Sequence, residues 1–91
     1  LDLARGRATV EARPVALTGA EARVLEELMR SAGVVVSRQQ LCERALGRPL
    51  EAFDRSVDTH VANLRRKLGE GAPEIRGVRG AGYAMDPGEP P

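Results

Sequence analysis

The 91-residue chain has few of the residues that link small folds through covalent bonds or metal ions. It contains one cysteine, Cys42, and one histidine, His60. An internal disulfide needs two cysteines, and a structural zinc site needs four cysteine or histidine ligands. The sequence therefore predicts no disulfide, no metal site and no cofactor. We expect Cys42 to pack as a small hydrophobic side chain.

Aromatic residues and long hydrophobic runs are also scarce. There is one phenylalanine, one tyrosine and no tryptophan, although 42% of the residues are hydrophobic. No apolar run approaches the roughly 20 residues that cross a bilayer, and no signal-peptide pattern opens the chain. We therefore expect one soluble, cytoplasmic domain over residues 1–86, with no membrane contact and a disordered tail at 87–91. Because the chain opens within a strand-like pattern, we also expect a further domain upstream.

The sequence lacks a plausible set of catalytic groups. We find no paired carboxylates, no nucleophile beside a base and no metal-ligand spacing. His60 follows Asp58 and Thr59, but successive helical residues point about 100° apart and cannot form a relay. We predict that the domain is not an enzyme.

Charge is weak overall but unevenly distributed. The net charge is +1, whereas residues 55–79 carry six basic side chains against the three acidic side chains Asp58, Glu70 and Glu74. The six basic residues are Arg55, Arg65, Arg66, Lys67, Arg76 and Arg79. A basic segment of this kind is typical of a surface that meets a polyanion, and a merely solvated basic face is the alternative. If about five of these side chains met phosphates, the logarithm of the affinity for the polyanion would fall with the logarithm of the salt concentration at a slope of about −4 to −5.

Local patterns predict the order of the elements. Short alternating segments over residues 1–17, separated by Arg5-Gly6 and Arg13-Pro14, indicate an antiparallel β-meander. Capping boxes at Thr18 with Glu21 and at Ser37 with Gln40 begin two helices. A loop at residues 47–53 precedes Asp54, which can cap a third helix over residues 55–68, and a β-hairpin occupies residues 75–85. The fold class is α+β, a winged helix-turn-helix with three helices and a C-terminal β-hairpin wing.

The third helix divides into two faces. On a helical wheel Val57, Val61, Leu64 and Leu68 form a narrow inward stripe. The opposite face carries Arg55, Thr59, Ala62, Asn63 and Arg66, flanked by His60 and Lys67 on one side and by Asp58 and Arg65 on the other. We expect Asp58 to be an ion-pair partner of Arg55, Arg65 or Arg79. Asparagine, threonine and arginine are the side chains that read base edges in a major groove.

Four segments of the chain resemble the OmpR/PhoB family of response-regulator effector domains. They are residues 17–21 (LTGAE), 35–41 (VVSRQQL), 55–61 (RSVDTHV) with 64–68 (LRRKL), and 78–83 (VRGAGY). The resemblance implies an upstream receiver domain that a sensor histidine kinase phosphorylates. It also implies binding to double-stranded DNA at direct-repeat half-sites as a tandem homodimer, which regulates transcription in a two-component phosphorelay.

The resemblance also implies roles for individual residues. Thr59, Asn63 and Arg66 would read bases in the major groove, and Arg55, His60 and Lys67 would contact the DNA backbone. Arg79 would enter the minor groove from the wing. In the loop, Arg48, Leu50, Glu51 and Phe53 would contact RNA polymerase. Ala62 departs from relatives that carry a basic residue there, and it cannot reach a phosphate.

A second hypothesis remains open at this point. The domain could be a protein-interaction module in which the winged helix docks a partner without nucleic acid. Phe53 in the loop would then be the anchor, although we otherwise expect Phe53 and Tyr83 to pack at the edge of the core. Retention on heparin or random DNA at low salt would separate the two hypotheses, because a protein adaptor of this modest charge would not be retained.

Overall fold

The computed structural model describes residues 1–87. Its elements are β1 (Asp2–Ala4), β2 (Arg7–Val10), β3 (Arg13–Ala16), α1 (Gly19–Arg30), α2 (Arg38–Leu41) with a π-helical turn (Cys42–Leu46) that continues it, α3 (Ser56–Leu68), β4 (Ile75–Val78) and β5 (Gly82–Met85). This order confirms the predicted α+β winged helix-turn-helix. Most of the predicted tail at 87–91 lies outside the described residues.

The first three strands form the predicted antiparallel meander, in the order β1-β2-β3. Its second turn is not at Arg13-Pro14, as predicted, but at Glu11 and Ala12, whose φ angles are 48° and 67°. Neither residue is a glycine, asparagine or aspartate, the types that usually signal a positive φ, so the sequence did not mark this turn. Pro14 lies instead in β3, where it pairs with Thr9 of β2. Strand β3 is at the edge of the sheet, where a missing N–H is tolerated.

Both predicted capping boxes are present. The Thr18 hydroxyl accepts a hydrogen bond from the Glu21 N–H at 3.1 Å, and the Glu21 carboxylate accepts one from the Thr18 N–H at 3.0 Å. Ser37 and Gln40 make the same reciprocal pair at 3.0 and 3.2 Å. The π-helical turn after α2 ends at Gly47, whose φ of 70° reverses the chain. These local signals therefore determine where the first two helices begin and where the second ends.

The third helix begins one residue later than predicted. Arg55 is its N-cap and makes no side-chain capping bond. Asp54 caps from the preceding position, because its carboxylate accepts a hydrogen bond from the Ser56 N–H at 2.9 Å. At the other end, the Arg13 guanidinium donates to the Leu68 carbonyl at 2.8 Å. A cation at the C-terminus of a helix is favourable, so this contact ties the meander to α3.

The wing is anchored to the loop between α1 and α2. Val36 and Tyr83 exchange backbone hydrogen bonds of 2.7 and 2.9 Å, and the Gly33 N–H donates to the Met85 carbonyl at 2.8 Å. The link at 34–36 therefore meets β5 at Val36. Strand β5 lies between this link and β4, with which it pairs from Ile75↔Met85 to Val78↔Gly82.

The core confirms the inward stripe of α3. Its four members, Val57, Val61, Leu64 and Leu68, are at most 2% exposed. Cys42 is fully buried among them and packs as a hydrophobic side chain, as predicted. Within residues 1–87, no helix has the length and apolar character that crossing a membrane requires.

Candidate nucleic-acid interface

The outward face of α3 brings together the three residues predicted to read bases. Thr59 and Arg66 are exposed, and Asn63 is half-buried between them. These side chains lie on consecutive turns of one helix, which packs its opposite face into the core. Ala62 lies on the same exposed surface and ends at its methyl group. The face is therefore polar at its centre, with one position that offers no hydrogen bond.

Arg66 and Asn63 are already in contact. The Arg66 Nη2 donates to the Asn63 Oδ1 at 3.1 Å. An amide oxygen has two lone pairs, so Oδ1 keeps one acceptor site and Nδ2 keeps both donors. Recognition of adenine needs one acceptor and one donor from the same amide. The contact thus orients Asn63 without using up its recognition capacity.

The residues predicted to contact the DNA backbone differ in their surroundings. Arg55 is exposed at the N-terminus of α3. His60 is half-buried, and its Nδ1 is enclosed without a hydrogen-bond partner in residues 1–87. Lys67 is also half-buried, and its Nζ lies 2.6 Å from the Oε1 of the buried Glu21. The structure therefore leaves Arg55 exposed, half-buries His60 and ties Lys67 to α1.

The carboxylate of Glu21 holds this link between the two helices. It is 3% exposed, and it accepts bonds from both Lys67 and the Thr18 N–H. Burial by itself raises the pKa of Glu21, but the bonds from Lys67 and Thr18 outweigh burial and hold the pKa below its usual value. A carboxylate with a lowered folded-state pKa stabilises the fold above its unfolded pKa, and this stabilisation is lost as the pH falls.

We therefore expect acid to destabilise the domain in part through Glu21. The melting temperature of the wild type should fall as the pH drops below about 4.5, toward the lowered folded-state pKa. Glu21→Gln should be less stable at pH 7, because it replaces an ionic hydrogen bond, and it should lose less on acidification. Thermal unfolding from pH 7 to pH 3 measures both. Glu70→Gln, an exposed carboxylate, is the control, and an unchanged acid response in Glu21→Gln would contradict the prediction.

Asp58 is an ion-pair partner, as predicted, but not of the predicted arginines. Its Oδ1 accepts from the Arg38 Nε at 2.8 Å and from the Tyr83 hydroxyl. Burial raises the pKa of Asp58, whereas the bonds from Tyr83 and Arg38 lower it, and the net pKa is below the usual value. Sequence analysis missed Arg38 because it lies 20 positions from Asp58, on another helix. A charged residue in the first turn of α2 was the only available signal.

Three of the six clustered basic residues bond to groups away from the outward face of α3. Arg65 donates twice to the Ile75 carbonyl, at 2.7 and 2.9 Å. Arg76 pairs with Asp86 at 2.7 Å, and Lys67 pairs with Glu21. In the described part of the chain, the remaining three form no ion pair; they are Arg55, Arg66 and Arg79. Arg66 bonds only to Asn63 on that same face, so within residues 1–87 three of the six cations have no contact away from it.

Arg79 lies at the tip of the wing, as predicted. It is exposed between β4 and β5, in a turn closed by the bond from the Ala81 N–H to the Val78 carbonyl at 2.9 Å. A Cβ at Gly80 would meet no atom within 4 Å, so the tip is narrow and open on that side. An arginine on a narrow ribbon has the shape that a minor groove accepts.

The loop at 47–53 is pinned to the start of α3. Arg48 lies 2.5 Å from the Asp54 carboxylate, and its other terminal nitrogen donates to the Ser56 hydroxyl at 2.8 Å. The bond from Arg48, joined by those from Ser56, holds the pKa of Asp54 well below its usual range. Leu50 is half-buried and packs against the core, whereas Glu51 is exposed.

Phe53 does not pack at the edge of the core, so that prediction was wrong. Its side chain is 100% exposed, and its φ of 59° is rare for a bulky residue. Tyr83, in contrast, is 7% exposed and packs as predicted. The backbone at Phe53 turns the ring outward, and no residue pattern in the sequence indicated this conformation. The loop therefore presents one large apolar group to solvent.

Comparison with known proteins identifies a family and a close set of relatives. The family "Transcriptional regulatory protein, C terminal" matches residues 12–85. The transcriptional regulatory protein CpxR of Klebsiella pneumoniae is 42% identical over 88 residues, which cover 93% of this chain and 38% of that protein. The chain thus spans about two fifths of the length of this relative. Segments 45–50, 53–55 and 63–68 predict a resemblance to CpxR within the family, and this resemblance is confirmed.

Solved structures agree with the sequence comparison. The DNA-binding domain of CpxR from E. coli superposes with a TM-score of 0.82 at 40% identity, covering 90% of this chain and 83% of that one. The RstA DNA-binding domain of Klebsiella pneumoniae, in complex with its RstA box, gives a TM-score of 0.81 at 33% identity over 90% of this chain and 84% of that one. Both superpositions therefore cover nine tenths of this chain.

Proposed function

Because this chain belongs to the family of C-terminal domains of transcriptional regulatory proteins, we propose that it binds double-stranded DNA sequence-specifically as the output domain of a two-component response regulator. The single observation that carries this proposal is the division of α3 into a buried apolar face and an outward polar face. Its apolar stripe is buried while Thr59, Asn63 and Arg66 face outward. The complex of the related RstA domain with its box supports the same function. The family is defined by transcriptional regulation, not by a catalysed reaction.

In the proposed complex, α3 lies in the major groove and the wing reaches the adjacent minor groove. Asn63 reads an adenine edge, with Thr59 and Arg66 beside it, while Arg55 and His60 contact phosphates. Lys67 contacts a phosphate only if it leaves Glu21, so we assign it a secondary role. Arg79 provides the minor-groove contact.

The remaining partners belong to the longer protein of which this domain would be the output. We propose that an upstream receiver domain, phosphorylated by a sensor histidine kinase, controls this domain. Two copies would then bind direct-repeat half-sites in tandem, and each would gain affinity from the proximity of the other. The loop residues Arg48, Leu50, Glu51 and Phe53 would face RNA polymerase. The full exposure of Phe53 supports a protein contact at this loop.

The salt dependence of binding tests the proposal. With Arg55, Arg66 and Arg79 as the cations that displace counterions from DNA, log affinity should fall with log salt at a slope of about −3, shallower than the −4 to −5 expected from the sequence. Fluorescence anisotropy on a labelled duplex, obtained by random-site selection with the wild-type domain, measures this slope. Arg55→Ala should make the slope shallower by about one unit.

Arg30→Ala is the matched control, because Arg30 is an exposed arginine at the end of α1, paired with Glu26 at 2.6 Å. It should leave the slope unchanged. The protein-interaction alternative predicts no retention on heparin or random DNA at low salt and no enriched site after selection. Either result, or a slope near zero, would overturn the proposed function.

A further inference from the structure

Two charged residues of α3 contact the wing. Asp58 accepts a hydrogen bond from the Tyr83 hydroxyl on β5, and Arg65 donates twice to the Ile75 carbonyl on β4. Asp58 and Arg65 are seven residues apart, so they lie on the same flank of the helix, about 10 Å from each other along its axis. The helix therefore contacts both strands of the hairpin at two separate points.

The ring of Tyr83 is held between two guanidinium groups. The Arg38 Cζ lies 5.0 Å from the ring centroid, and the Arg65 Cζ lies 5.7 Å from it. Arg38 also bonds to the Asp58 carboxylate, to which the Tyr83 hydroxyl donates. One buried tyrosine thus connects α2, α3 and the wing. We call Asp58, Arg65 and Tyr83, together with Arg38, the wing clamp.

The wing is attached to the rest of the domain by bonds other than those of the wing clamp. Strand β5 is already joined to the loop after α1 through the two backbone bonds between Val36 and Tyr83 and through the bond from Gly33 to Met85. Those bonds lie along β5 and leave open how the hairpin is inclined toward α3. Side-chain bonds from two turns of α3 to both strands restrict that inclination.

We infer that Asp58 and Arg65 are positioning residues that hold the wing in a fixed register with α3. This inference rests on the proposed function. In a complex, Asn63 and Arg79 contact different grooves, and the number of base pairs between their contacts depends on the angle between helix and hairpin. The wing clamp sets this angle and so makes minor-groove recognition by Arg79 depend on major-groove recognition by Asn63.

Conservative variants separate this role from folding. Tyr83→Phe keeps the ring between the arginines and removes only the hydroxyl that donates to Asp58. Arg65→Lys keeps the positive charge but cannot make both bonds to the Ile75 carbonyl. Neither variant removes a residue assigned to DNA contact, and circular dichroism confirms that each is folded at the assay temperature.

The test is a double-mutant cycle with Arg79→Ala on the duplex selected by the wild type, and on the same duplex with its A·T flank changed to G·C. In the wild-type background Arg79→Ala should cost about ten-fold in affinity, and discrimination against G·C should disappear. In the Tyr83→Phe and Arg65→Lys backgrounds the same change should cost less than about three-fold, as expected for coupled residues. Discrimination at the flank should already be weakened there before Arg79 is replaced.

The outcomes distinguish this inference from the proposed function. Equal losses on Arg79→Ala in all backgrounds would overturn the inference while leaving DNA binding intact. Loss of affinity in the clamp variants with undiminished flank discrimination would also overturn it, because that result fits a structural role alone. Arg30→Ala combined with Arg79→Ala should be additive and is the control. A wild-type domain that selects no duplex would overturn the proposed function itself.

Discussion

Gly82→Ala should lower the free energy of unfolding by roughly 3 kcal/mol, by the combination of backbone strain and a steric clash. Gly82 has a φ of 142°, a conformation that side chains other than hydrogen rarely adopt. A Cβ built on it would lie 2.1 Å from the Val36 carbonyl oxygen and 2.7 Å from the Ser37 Cα. Both atoms belong to the backbone, so no side-chain rotation can relieve the contact. The wing would have to separate from the loop after α1.

Thermal unfolding measures this effect, and the expected fall in melting temperature is roughly 12 to 24 °C for a domain of this size. Gly80→Ala is the matched control. Gly80 has a φ of 76° in the same hairpin, but its Cβ would meet no atom within 4 Å. Gly80→Ala should therefore lower the free energy of unfolding by only about 1 kcal/mol, from backbone strain. Equal losses in the two variants would show that the close approach to Val36 contributes nothing.

Asn63→Ala should reduce affinity for the selected duplex by about 1–3 kcal/mol, which is about 5- to 150-fold, and should hardly change affinity for random DNA. Alanine removes both the acceptor and the donor that the proposed adenine contact requires. It also removes the acceptor of the Arg66 guanidinium, whose bond of 3.1 Å to Oδ1 would be lost. The specificity ratio between the two duplexes, measured at one salt concentration, reports the effect.

Arg55→Ala provides the contrast. Arg55 is exposed at the N-cap of α3, and its proposed partner is a phosphate. Arg55→Ala should therefore weaken binding to selected and random duplexes by the same factor and leave the specificity ratio unchanged. If Asn63→Ala behaved like Arg55→Ala, the assignment of Asn63 to base reading would be wrong.

Exposed Phe53 and paired Lys67 show where sequence reasoning assigned residues wrongly or incompletely. Phe53 was expected at the core edge because aromatic side chains are usually buried, yet the local backbone conformation turns it into solvent. For Lys67, the family resemblance implied a contact with the DNA backbone. The structure instead pairs it with Glu21, which is 46 residues away in the chain. No residue pattern near Phe53 or Lys67 indicated either outcome.

The sequence by itself determined the features that depend on near neighbours. The capping boxes at Thr18 and Ser37, the buried stripe of α3 and the hairpin that presents Arg79 all follow from residues within a few positions of each other, because helix and strand periods and capping bonds are local. These features are sufficient to define the fold class and the outward face that carries Asn63.

Only the tertiary structure decided which charges remain available to a ligand. The Asp58 carboxylate could pair with any of several arginines, and the fold brings Arg38 to it. Arg65 could face solvent, and the fold places the Ile75 carbonyl within its reach. The physical reason is that an ion pair or hydrogen bond depends on distance in space, whereas sequence patterns report distance along the chain. The folded chain thereby bonds three of the six clustered cations to groups away from the outward face of α3 and directs two charged residues of α3 toward the wing.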